Sequence, residues 1–229
     1  MKQNSAEIIK PFIKRLPLFK SLSEGNITQI LSDFSLLDVK KGDTVFYQTD
    51  ESADLYIIIS GAVRASLIND EGQELVLACF KEGDFLGEIS LLDGRPRSAT
   101  VIAEDDSTLS VLKRDRFLNT LKEEPMIAIE MLSALVGRLR RTDEMIESLA
   151  FLDVSERLMK ILHRLAKEEG EELEDGVYRI KKITHKELAS KTGASREAVT
   201  KVLKVLTFKK LIRDEKGHFY LNVKARGRG

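Results

Sequence analysis

Hydrophobic positions along the chain change their period as it proceeds. Between Lys40 and Lys113 they cluster in short β-rich runs: Leu55 to Ile59, Val63 to Ile68, Leu75 to Phe80, Ala99 to Ala103 and Thr108 to Leu112. The turn signals Lys41-Gly42-Asp43, Ser60-Gly61, Asn69-Asp70-Glu71-Gly72 and Glu82-Gly83-Asp84 divide them, and such spacing predicts a β-roll or barrel. A helical pattern precedes it (Ile27, Ile30, Leu31, Phe34) and another follows, so helices flank a sheet-rich centre.

After Pro125 the period lengthens. Ala128, Leu132, Leu135, Leu139, Thr142, Ile146 and Leu149 recur at alternating spacings of four and three, the a/d seam of a coiled coil. Met131, Val136 and Met145 lie beside the seam and are assigned to packing on the helix's own domain, which leaves the seam for a parallel two-helix dimer. Its one polar member is Thr142, and Asp143 stands one step off it. Asp153, with Glu156 three residues later, is a capping box that starts a new helix with the stripe Val154, Leu158, Ile161, Leu162 and Leu165. A hinge is therefore expected near Phe151 to Asp153. Glu168 to Gly176 reads as a solvated acidic loop.

The stretch from Thr184 to Leu206 predicts two short helices around a tight turn. Thr184 and Glu187 form a second capping box, Gly193 supplies the turn and Ser195 N-caps the second helix. Beyond Ser195, Val199, Val202, Leu203 and Leu206 fall on one face, while Arg196, Glu197, Thr200, Lys201 and Lys204 fall on the other. This is the layout of a DNA-reading helix-turn-helix, in which Arg, Glu and Lys address guanine, cytosine and phosphate. Thr184, Lys186 and Ser195 join the DNA-facing set. Leu211 to Asp214 and His218 to Val223 flank Glu215-Lys216-Gly217 as a hairpin, which makes a winged helix. The expected class is α+β, divided into residues 1–124 (β-roll with flanking helices), 125–152 (dimerisation helix and hinge) and 153–229 (winged helix-turn-helix).

Charge sharpens this division. The 229 residues carry 37 basic and 37 acidic side chains, yet residues 151–229 hold 19 basic against 12 acidic ones. From Gly176 onward the counts are 15 and 4, the electrostatic footprint of a surface that displaces counterions from double-stranded DNA. With 42% hydrophobic residues the chain can bury one large core and one small one. Met1 to Lys20 is interrupted by charges and by Pro11 and Pro17, so neither a signal peptide nor a membrane span is expected, and the protein is expected in the cytoplasm. The single cysteine, Cys79, excludes an internal disulfide and a cysteine-ligated iron-sulfur cluster, and its apolar run predicts that it is buried. The three histidines, His163, His185 and His218, lie outside the β-roll. That argues against a metal-dependent enzyme of the cupin sort, against haem and against any metal site in the roll.

Small-molecule chemistry concentrates in the segment Gly87 to Val101, GEISLLDGRPRSATV. A glycine heads a short helical turn whose free amides favour an anion. Arg97 adds a guanidinium fork for a phosphate, and Glu88 can accept hydrogen bonds from sugar hydroxyls. Together these suggest a nucleotide, although a Glu and an Arg nine residues apart also make surface ion pairs.

These segments resemble the CRP/FNR family of bacterial transcription regulators over almost the whole chain. The likeness rests on the turn glycines, the cassette GEISLLDGRPRSATV, the long helix ending in SLAFLDV and the SREAVTK recognition helix. The resemblance implies a cyclic-nucleotide-binding β-roll of the double-stranded β-helix (jelly roll) type, a long dimerisation helix and a C-terminal winged helix-turn-helix. It implies that Gly87 and Ser98 contact a cyclic phosphate, Arg97 neutralises it and Glu88 binds the ribose 2′-hydroxyl, with Ile89 and Ala99 in the same cassette. Arg138 and Thr142 match positions beside the nucleotide in cyclic-AMP-binding members, Thr142 against the adenine; Asp143 stands where such a receptor has a serine. Arg196 and Glu197 match base readers, and Lys201 replaces an arginine. The implied protein is no enzyme but a homodimeric regulator, with cyclic AMP as allosteric effector and RNA polymerase as a further partner. Cyclic GMP, cyclic di-GMP or effector-independent DNA binding are the alternatives, because an ionised Asp143 only accepts hydrogen bonds and can take two in parallel from guanine.

Overall fold

Strand alternation in the first half of the chain closes two antiparallel sheets over a shared core. In the computed structural model, which describes residues 9–13, 16–20, 22, 24–173 and 176–222, helix α1 (Glu24–Leu31) leads into β1 (Phe34–Val39), β2 (Thr44–Phe46), β3 (Leu55–Ser60), β4 (Ala62–Ile68), β5 (Glu74–Lys81) and β6 (Phe85–Leu86). Helix α2 (Glu88–Asp93), β7 (Thr100–Ala103) and β8 (Ser107–Leu112) follow. The strand orders are β1-β8-β3-β6 and β2-β7-β4-β5. Inward residues of both sheets, among them Ile58, Val63, Leu86, Val101 and Leu109, make one apolar cluster. A second cluster joins Ile27, Ile30 and Phe34 to Phe117 of α3 (Arg114–Glu123) and to Ile127 and Met131 of α4 (Pro125–Phe151).

Two residues in this half depart from the expected pattern. Phe34 continues the helical spacing of Ile27, Ile30 and Leu31, but α1 ends at Leu31 and Phe34 opens β1, paired with Leu112. Cys79 is exposed, not buried. The run Leu75 to Phe80 alternates, with Val76 and Phe80 facing the core and Leu77 and Cys79 facing out, as the period-two geometry of a strand requires.

Helix α4 is unbroken over its 27 residues, and its register is set by what it covers. Ile127 and Met131 are buried, with Ala134 and Leu135 packed against the same core. The exposed large apolar residues are Met126, Ile129, Leu132, Val136, Leu139, Ile146, Leu149 and Phe151. Among them Ile129, Leu132, Val136, Leu139 and Ile146 repeat at three-four spacing with Asp143 in the gap. Of the expected seam, Leu132, Leu139, Ile146 and Leu149 are exposed and Leu135 packs on the core, while Val136 beside it is exposed; Thr142 and Asp143 are both exposed. The periodicity could not decide this, because apolar side chains satisfy both registers and only the core contact of Leu135 separates them. Gly137, inside this helix, has room for a side chain: a Cβ there would meet nothing nearer than Arg141 Nη1 at 3.8 Å.

The chain divides into two compact units, Met1–Leu67 with Val76–Arg141, and Ile68–Leu75 with Thr142–Gly229. In the second unit α5 (Val154–Glu169) starts at the expected capping box: the Asp153 carboxylate accepts from Glu156 N, and the Glu156 carboxylate accepts from Asp153 N. Strands β9 (Glu171–Glu172) and β10 (Val177–Lys181), helices α6 (His185–Thr192) and α7 (Arg196–Phe208), and strands β11 (Ile212–Glu215) and β12 (His218–Asn222) complete it. The sheet order is β11-β12-β10-β9. Leu158, Leu162, Leu188, Val199, Leu203 and Phe219 form its core. The acidic stretch is thus not all loop, since α5 runs to Glu169 and Glu171–Glu172 pairs with β10; Glu174 and Asp175 lie outside the described residues. The wing hairpin turns on Lys216 and Gly217, both at positive φ (48° and 77°), as a two-residue turn matching strand twist requires. Val223, expected at its end, lies outside the described residues.

Candidate functional site

The cassette is built around Gly87. Its φ is 86°, a conformation in which side chains are strained, and a Cβ would stand 2.6 Å from Arg97 Nη1 and 2.7 Å from the Asp54 carbonyl. Only glycine lets the guanidinium pass this close. Arg97 is 2% exposed and donates three hydrogen bonds to protein: Nε to Ser52 Oγ (3.0 Å), Nη1 to the Gly87 carbonyl (3.1 Å) and Nη2 to the Asp54 carbonyl (2.9 Å). Its flat face lies 4.2 Å from the Phe46 ring centroid and 5.4 Å from that of Tyr56. Burial pulls this guanidinium below its usual range, opposed by Tyr56, Asp54 and Glu88. The hydrogen bonds to Ser52, Gly87 and Asp54 use three of the five N–H groups an arginine carries.

Glu88, the first residue of α2, does not pair with Arg97. Its buried carboxylate lies 2.7 Å from Arg138 Nη1 of α4, off the hydrogen-bonding direction, so the contact is an ion pair. Arg138 also donates through Nη2 to the Phe85 carbonyl and sits between the rings of Phe80 and Phe85, at 4.8 and 4.6 Å from their centroids. The sequence alternative of a surface ion pair between Glu88 and Arg97 is thereby overturned: both are buried and each has its own partners. Ser98 and Ile89 are exposed, and Ala99 is buried. Thr142 and Asp143, one turn beyond Arg138 on α4, are exposed. The partners that sequence reasoning missed (Ser52, Asp54, Phe46, Tyr56, Phe80) come from the β2–β3 connection and from strands remote in sequence, and no local motif marks them.

In the second unit Thr184 N-caps α6 through the predicted box with Glu187, Gly193 ends α6 at φ 63°, and the Ser195 hydroxyl accepts from Ala198 N to cap α7. Val199, Leu203 and Leu206 are buried; Val202 is half-buried. Arg196, Glu197, Lys201 and Lys204 are exposed, and among the described residues their side chains make no hydrogen bond or ion pair. Thr200, expected on this open face, is partly buried. Its hydroxyl donates to the Arg196 carbonyl (2.8 Å) and contacts His185 Nδ1 (2.8 Å). A threonine in mid-helix commonly turns back in this way. Thr184 and Lys186 are exposed at the start of α6.

Comparison with known proteins matches both domains. Residues 36–124 match the cyclic nucleotide-binding domain, and residues 156–226 match the Crp-like helix-turn-helix domain. The chain is 34% identical to the cyclic AMP receptor protein of Thermus thermophilus, over 88% of this chain and 90% of that one. It is 32% identical to a CRP-like cAMP-activated global transcriptional regulator of Mycobacterium tuberculosis, over 83% and 85% respectively. Among solved structures, the c-di-GMP responsive global regulator CLP of Xanthomonas campestris superposes with a TM-score of 0.77 at 28% identity, covering 87% of this chain and 99% of that one.

Proposed function

This chain belongs to the CRP/FNR family of transcription regulators and carries its cyclic nucleotide-binding and helix-turn-helix domains, and from that premise we propose that cyclic AMP is its effector. The observation that carries the reading is the Glu88–Arg138 pair. A ribose 2′-hydroxyl donating to Glu88 changes what Arg138 feels, and Arg138 stands on the helix whose exposed stripe is free for a second copy. The cyclic phosphate meets the remaining N–H groups of Arg97 and the amides at Gly87 and Ser98, with Ile89 and Ala99 lining the cassette. Thr142, on the same helix, faces the adenine. In this reading α4 dimerises in parallel through Ile129, Leu132, Val136, Leu139 and Ile146, the break at Leu152-Asp153 passes a shift of α4 to α5, and the spacing of the two recognition helices changes. The dimer then binds a twofold-symmetric site on cytoplasmic DNA through Arg196, Glu197, Lys201 and Lys204, with Thr184, Lys186 and Ser195 on the backbone, and engages RNA polymerase there.

Asp143 favours a second reading. It stands in the exposed stripe rather than beside it, so in a dimer it faces the partner helix, and a carboxylate there suits the paired N1–H and N2 amino donors of guanine. The structural likeness to a c-di-GMP responsive regulator supports the same class. Titration calorimetry with cyclic AMP, cyclic GMP and cyclic di-GMP, on wild type and Asp143→Ser, separates the two. Cyclic AMP is expected to bind most tightly to both proteins, with the samples dimeric in sedimentation. Tighter binding of a guanine nucleotide to wild type, reversed by the serine, would overturn cyclic AMP; no binding of any of the three would make the DNA reader effector-independent.

A further inference from the structure

The connection between β2 and β3, residues 47–54, is tied to Arg97 along its length. Thr49 N donates to the Arg97 carbonyl (2.9 Å), and Arg97 N donates to the Asp50 carbonyl (2.8 Å), so the two backbones pair outside any strand. Near the start of the connection Gln48 N donates to Thr100 Oγ1 (3.0 Å). At its end the Asp54 carboxylate pairs with Lys113 Nζ at 2.6 Å. Between these ties Thr49 has a φ of 77°, a conformation that a β-branched residue keeps only where its surroundings impose it.

From this frame the connection presents two oxygens to one guanidinium. Ser52 Oγ accepts from Arg97 Nε at 3.0 Å, and the Asp54 carbonyl accepts from Nη2 at 2.9 Å. With the Gly87 carbonyl on Nη1 (3.1 Å), every nitrogen of the group is held, and the Phe46 ring covers its flat face at 4.2 Å. A planar group fixed at three nitrogens and on one face has a single orientation. Two of the three oxygens belong to the main chain and survive substitution. The third is a side-chain hydroxyl, on a residue that is itself exposed. Without it the Nε–H would be an unpaired donor on an arginine that is 2% exposed, and the guanidinium would turn to find another acceptor.

We infer that Ser52 is a positioning residue for nucleotide binding: it acts through Arg97, whose orientation it fixes before the cyclic phosphate arrives. This rests on the reading of Arg97 as the phosphate's partner. The gain is preorganisation, since a guanidinium that is already oriented loses little freedom on binding. Ser52 stands 45 positions before Arg97 in the chain, well outside the cassette, and only the closure of the sheets brings the two together.

The test is titration calorimetry of the full chain with cyclic AMP and, separately, with cyclic GMP, whose cyclic phosphates are identical. Wild type, Ser52→Ala and Ser52→Thr are compared, together with the solvent exchange of the Arg97 Nε proton, assigned by its loss in Arg97→Lys. Ser52→Ala should bind the preferred nucleotide about tenfold more weakly, and its Arg97 Nε proton should exchange faster. Ser52→Thr, which keeps the hydroxyl, should restore both. A hydroxyl that only stabilised the connection would lower the unfolding midpoint and leave the affinity of the folded protein unchanged. Wild-type affinity in Ser52→Ala, or an equal loss in Ser52→Thr, overturns the inference and leaves the nucleotide reading in place. Binding of neither nucleotide by wild type overturns that reading and this inference with it.

Discussion

The nucleotide cassette and the recognition face both depend on charged side chains, yet they hold them in opposite ways. Glu88 and Arg97 are 5% and 2% exposed, and protein groups already occupy both of them. Arg196, Glu197, Lys201 and Lys204 stand in solvent, with no side-chain partner among the described residues. A ligand that met Glu88 or Arg97 would therefore compete with, or add to, internal partners. DNA meets a surface with little to rearrange. The first arrangement suits a sensor, whose output is the disturbance; the second suits a reader, whose output is affinity.

The largest expected effect tests the closed half of this contrast. Glu88→Ala leaves the partly buried Arg138 without its carboxylate and should lower stability by about 2 to 3 kcal/mol in urea unfolding. Glu197→Ala should stay within about 0.5 kcal/mol of wild type in the same assay. Similar losses for the two would erase the distinction. Next in size, Glu197→Ala should weaken binding by about 1 to 3 kcal/mol and relax preference at one base pair, read by anisotropy across single-base variants of a selected site. An equal loss on every sequence would reassign Glu197 from base reading to general positioning. The smallest effect sharpens the open half: Lys204→Ala should reduce the salt slope by about 0.9 for every sequence alike. A sequence-dependent loss would make Lys204 a base reader instead.

Local signals carried much of this architecture. Both capping boxes, the Gly193 turn, the wing hairpin and the five apolar strands were legible because each is specified within a few residues. The strands that were not anticipated lack that property. β2 has three residues, too few for a period, and β10, Val177–Lys181, mixes charge with apolar side chains at Arg179 and Lys181. The cassette was legible as a motif but not as a geometry. Its partners Ser52, Asp54, Phe80 and Arg138 become neighbours only through sheet closure and the packing of α4, and a pairing of Glu88 with Arg97 looked equally natural in sequence. At Leu135 and Val136 the sequence was ambiguous for a related reason: both are apolar, and only the neighbouring core decides which of them is free.

Gly137 gives α4 a mechanical character. A helical glycine weakens its element by about 1 kcal/mol relative to alanine, and here nothing steric requires it, since an added Cβ would meet only ordinary contact at 3.8 Å. It immediately precedes Arg138, the residue that grips Glu88. Gly137 stands between the anchor of α4 on its core, Ile127 and Met131, and the grip of Arg138 on Glu88. A displacement at Glu88 would thus be taken up first at the position where the helix is intrinsically weakest.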